Sequence, residues 1–172
     1  MDAPAQPAAV APAGTHLETA RIADQLERSL RGGAWHGPAL LPAVEGLDAA
    51  AAVAHPVAGA HSIHEVVWHA AFWLDVAQRR IAGTELPALA PESDWPPAEG
   101  DPRDRWRETL ERLEEAHRRL QATVVALSDE RLDDPVPGSD PSIRGLLLGV
   151  LQHTAYHTGQ LVLLRRTLET SR

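Results

Sequence analysis

Apolar residues recur at helical spacing in four segments of the chain, and no segment alternates apolar and polar residues as a strand would. This pattern predicts an all-α protein. The first segment, residues 16–31, turns Leu17, Ala23, Leu26 and Leu30 toward a core and stops at Gly32 and Gly33. The second starts from Ser62, a favourable N-cap, and reaches Ile81 ahead of Gly83. The third, residues 103–127, carries Trp106, Leu110, Leu113, His117, Leu120, Val124 and Leu127 in 4-3 spacing, which marks a seam between packed helices. The fourth follows Ser139, Asp140 and Pro141 and runs to Leu168. The connections exceed what an up-and-down bundle needs, and they permit a crossover. The first is expected to include one short helix over Leu40 to Leu47. The second, residues 84–101, is too rich in proline for regular structure, but its Trp95 is expected to dock on the helices.

The stripe of the fourth segment reads Leu146, Val150, His153, His157, Leu161, Leu164 and Leu168, so two imidazoles stand where Leu or Val is expected. An i, i+4 pair lies about 40° apart around a helix, and both rings can reach one point. Burying an unpaired imidazole costs roughly 1–3 kcal/mol, which a divalent cation would offset. A third ligand should come from another helix. His69, mid-helix beside Val66, Trp73 and Val76, is the candidate. Periodicity alone leaves open a second reading, in which each core imidazole bonds a backbone carbonyl. His117 also occupies a seam position and could be a further ligand, a group bonded to a ligand or a partly exposed residue packed by its ring; the solvent-type neighbours Glu114, Glu115, Arg118 and Arg119 favour the last. His64 faces away from His69, His61 sits at the helix start, and His36 and His55 adjoin turns; none of these is taken as a ligand. Glu65, one turn before His69, could orient a ligand or act as an acid or base. Trp73 could wall a pocket, while Tyr156 and Gln160 flank the pair and could bond a substrate or a metal-bound water.

Composition narrows the chemistry. The chain has 172 residues and no Cys, so it can build a core without disulfides and must draw ligands from His, Asp and Glu. All its basic residues are Arg, a bias expected of a GC-rich, bacterial genome. A net charge of −8 with no basic block argues against nucleic acid or anionic membrane as partner. No apolar run approaches a membrane span, and the opening MDAPAQPAAVAPAG lacks the features of a signal peptide. Residues 1–14 are expected to be a disordered tail, 15–172 a single domain, and the location cytoplasmic.

The blocks AWHGPALLPAVEGL, HSIHEVVWHAAFW, SDWPP and HTAYHTGQLVLLRR, in this order, resemble the DinB/YfiT-like family of small bacterial proteins. The resemblance implies a left-handed four-helix bundle of unusual connectivity and frequent dimerisation. It also implies a divalent ion held by His69, His153 and His157, the same three that helical geometry selects. Zinc or nickel is expected first, with iron, manganese and cobalt also compatible with imidazoles. Some relatives transfer or isomerise with low-molecular-weight thiols. The expected function is therefore a metal-dependent enzyme of thiol S-transferase or hydrolase type, activating a small thiol or water against an electrophilic small molecule. No general base is identifiable. The alternative is a non-catalytic, stress-related metal-binding dimer, with Trp68 and Phe72 forming the dimer strip or packing under the Trp95 loop.

Overall fold

The computed structural model describes residues 17–84, 86, 94–95, 99–137 and 140–170. The expected tail, residues 1–14, lies outside them. Among the described residues are six α-helices: α1 (Leu17–Arg31), α2 (Leu40–Val44), α3 (Ala49–Val53), α4 (Ile63–Ile81), α5 (Pro102–Ala126) and α6 (Ile143–Thr170), with a 3₁₀ turn at Asp129–Asp133 between the last two. Among the described residues there is no strand, only an isolated bridge between Pro135 and Ser142. The chain is all-α, as the pattern predicts.

Local sequence explains where the helices begin and end. Ser62 accepts the Glu65 amide at 3.2 Å and Glu65 returns a bond to the Ser62 amide at 2.7 Å, a reciprocal box that satisfies two orphan donors at the start of α4. Gly83, at φ +72°, ends the same helix in the left-handed region that favours glycine. Asp101 caps α5, and Pro102 occupies its first turn, where no amide donor is needed. α1 is capped from afar: the Asp129 carboxylate accepts the Glu18 and Thr19 amides at 3.0 and 2.9 Å and the Thr19 hydroxyl at 3.0 Å.

The four long helices, α1, α4, α5 and α6, share one core that includes Leu26, Val67, Leu113, Leu120, Leu147 and Leu161. Around it α1 packs on α5, α5 on α4, α4 on α6, and α6 on α1. Consecutive long helices α1 and α4 thus sit diagonally, and the connection carrying α2 and α3 makes the crossover. Two expectations change. Leu17 is 65% exposed, because nine residues of helix place it half a turn away from Leu26, and Ile22 takes the core position. The expected short helix at 40–47 ends at Val44, and a second one, α3, follows under the Asp48 cap. The seam on α5 forms as expected, with Leu110 partly buried and the rest of the stripe buried.

Candidate metal centre

His69 from α4 and His153 and His157 from α6 converge. The Nε2 atoms of His69 and His153 are 3.1 Å apart, and those of His157 and His153 are 3.0 Å apart. His69 and His157 are buried, while His153 is partly exposed. The i, i+4 spacing on α6 supplies the pair. The placement of α6 beside α4 supplies the third ring.

The outward-facing nitrogens are engaged. His157 Nδ1 donates to Gln160 Oε1 at 2.7 Å, one turn along α6. His69 Nδ1 faces Asp94 Oδ2 at 3.3 Å, close enough for charge attraction but not aligned as a hydrogen bond. The Gln160 bond fixes the His157 proton at Nδ1 and leaves its Nε2 a bare lone pair, and a proton drawn to His69 Nδ1 by the Asp94 charge leaves the same at His69. His153 Nε2 touches both and can carry one proton, which can be directed at only one of them. At least one close lone-pair contact therefore remains unless a cation lies among the three rings. Tetrahedral zinc ligation by imidazoles sets nitrogens about 3.3 Å apart, so the two spacings to His153 fit such an ion. All three residues could offer one ligand atom each to a single ion.

Protonation state points the same way. Burial, then the neighbouring His157 and His69, pushes the His153 imidazole down to about 4. Burial likewise lowers His69, reinforced by His157 and opposed by Asp94. Burial lowers His157 against the raising effect of its Gln160 bond. Neutral imidazoles at neutral pH are the form a metal requires.

Trp95 stacks on His69 with ring centres 4.4 Å apart and on His61 at 3.6 Å, which fixes Asp94 beside the site. Docking of Trp95 was legible in the sequence. The part played by Asp94 was not, because no periodicity describes an irregular loop; the adjoining Trp in SDWPP was the available hint. Trp73 packs edge-on against His153 at 6.2 Å and lines an adjoining cavity. Gln160 lies behind the ligand pair and accepts from the His157 ring. Tyr156 is 65% exposed and touches the His157 ring edge-on at 5.0 Å.

The remaining candidates lie apart from the triad. Glu65 is occupied by the capping box and by His55, whose Nε2 lies 3.1 Å from its carboxylate, and so it does not orient a ligand. His117 is not a ligand, but it is buried on α5 instead of partly exposed as expected, and it donates from Nε2 to the Leu26 carbonyl at 3.2 Å. His64 is also buried, with Nδ1 3.5 Å from an Arg105 nitrogen. The Trp68 ring lies under the Arg112 guanidinium at 4.4 Å and Phe72 packs against Trp73; most of the Trp95 loop, under which they were expected to pack, lies outside the described residues.

An all-helical protein with three inward imidazoles from two helices that could hold one metal ion is a defined structural class. The model of the DinB superfamily matches residues 34–161, well over half of the chain and spanning all three histidines, and the protein belongs to that superfamily. Comparison with curated proteins and with solved structures returned no significant match to either.

Proposed function

We propose that the protein is a metal-dependent enzyme of thiol S-transferase or hydrolase type, with the four long helices arranged as the DinB/YfiT four-helix bundle. His69, His153 and His157 would hold Zn²⁺ or Ni²⁺. The observation that carries this reading is the convergence of three neutral imidazoles, with the Nε2 atoms of His69 and His157 at 3.1 and 3.0 Å from that of His153, while Gln160 holds His157 from behind and the Asp94 carboxylate lies 3.3 Å from His69 Nδ1. Three protein ligands leave a coordination position for a small molecule, and a divalent ion so held lowers the pKa of a bound thiol or water and polarises an electrophile. The chain's own residues do the rest. Gln160 holds the proton on the outer nitrogen of His157, the Asp94 carboxylate draws the His69 proton outward by charge, Trp95 shields His69 from water, and Trp73 forms the apolar wall against which an organic substrate would lie. With no cysteine in the chain, a nucleophilic thiol must arrive as a cosubstrate.

Elemental analysis of untagged protein, wild type against a His153→Ala, His157→Ala double variant, tests the centre. About one ion per chain in the wild type and none in the folded double variant is expected. A panel of low-molecular-weight thiols with electrophiles, and of esters, then tests the reaction. A metal-loaded protein that consumes and binds none of them refutes the enzymatic reading. We also propose a homodimer. Light scattering that returns a monomer mass refutes it.

A further inference from the structure

Between α4 and α6, next to His153, the helices leave a cavity of about 220 Å³. Its walls are Trp73, Val76, Leu146 and Val150, all apolar. Gly145 and Gly149 sit on its α6 side one turn apart, and a Cβ built on Gly149 meets no atom within 4 Å, so the space above it is open. Glycine inside a helix is less favourable than alanine, so an unfilled position there is one the fold does not need for packing.

The cavity has two chemically distinct ends. His153 stands at one. At the other is Arg80, the one charged side chain among the described lining residues. Its neighbour Arg79 lies 4.0 Å from Asp75, and Arg119 pairs with the same carboxylate at 2.9 Å, but Arg80 has no carboxylate within ion-pair distance among the described residues. From Trp73 to Arg80 is seven residues of α4, and from His153 back to Gly145 is eight of α6, so the two ends lie about 10–12 Å apart. A guanidinium at the end of an apolar slot recognises a planar anion, which it can grip with two parallel N–H bonds.

We infer that this cavity is the organic-substrate subsite and that it selects a slender apolar molecule carrying a carboxylate, with the carboxylate at Arg80 and the reacting end toward His153. This deepens the metalloenzyme reading and rests on it only for which end reacts. The charge and shape preference belongs to the cavity itself.

The probe is 6-phenylhexanoate, with 6-phenyl-1-hexanol as its neutral counterpart. Neither carries a thiol, so calorimetric titration of metal-free and metal-loaded protein tests the cavity independently of the ion. The acid is expected to bind both forms, and to bind tighter than the alcohol. Arg80→Gln should weaken the acid roughly 10–100-fold and leave the alcohol unchanged. Gly149→Leu, which fills the open space while favouring helix, should abolish both, and Trp fluorescence should lose its response to the acid in Trp73→Phe. Equal binding of acid and alcohol, or full binding in Gly149→Leu, overturns the inference. If the acid binds as expected and the wild type retains no metal, the subsite stands and the metal reading falls; metal retained without binding of the acid is the reverse.

Discussion

Replacing His117 separates a packing histidine from a ligand. Its ring is 3% exposed, its Nε2 donates to the Leu26 carbonyl at 3.2 Å, and it lies on α5, which faces α6 across the core instead of flanking it. His117→Ala removes one buried hydrogen bond, about 1 kcal/mol, and leaves a cavity worth about 2 kcal/mol more. The total of about 3 kcal/mol corresponds to a fall of roughly 6–12 °C in Tm for a chain of this size. His117→Gln, whose amide can reach the same carbonyl, should recover about 1 kcal/mol. Urea and thermal unfolding of the metal-free proteins give the stability change, and elemental analysis of the loaded proteins gives the stoichiometry, which should equal wild type in both variants. A drop in Tm under about 2 °C, or loss of the ion from a folded variant, would refute the assignment.

Gln160→Leu removes the acceptor that orients His157 and should weaken metal affinity about 10–100-fold without loss of helix; chelator competition and circular dichroism measure the two. Ser62→Ala opens the box at the start of α4 and should cost about 1 kcal/mol in urea unfolding while metal content stays at wild type, and a lost ion would show that Glu65 serves the site after all. Burial holds His64 and His117 below their ordinary value of 6.5, aided for His64 by Arg105 and opposed for His117 by its Leu26 bond. The folded state therefore binds fewer protons than the unfolded one, and stability is fully present above pH 6.5 and lost as pH falls below it. The urea midpoint should be level between pH 8 and 7 and decline toward pH 5, less steeply in His117→Gln; a midpoint that rises on acidification contradicts this.

Much of the site could be read from spacing because helices repeat. A four-residue interval on α6 places His153 and His157 on one side whatever else the fold does, and the 4-3 run on α5 produces its seam by the same rule. His69 needed the further step that two apolar faces meet. What escaped the sequence depends on tertiary placement. The Asp129 cap reaches α1 across 110 residues, and no local signal announces it. The approach of Asp94 to His69 depends on where an irregular loop sets its backbone, and a capping carboxylate such as Glu65 looks like an orienting one in sequence. α3 did have a signal, Asp48 before a run of alanines, but five residues are too few to display a period.

The distance along the chain between His69 and His153 also sets a clock on synthesis. The helix bearing the first imidazole leaves the ribosome 84 residues ahead of the second, a gap on the order of 4–17 s at usual elongation rates. During that interval α4 has its α5 neighbour but lacks α6, so its His69 edge and Trp73 are uncovered. The nascent chain thus carries uncovered apolar surface until the residues that complete the centre emerge, and a cation that clasps α4 to α6 would act on this last docking step.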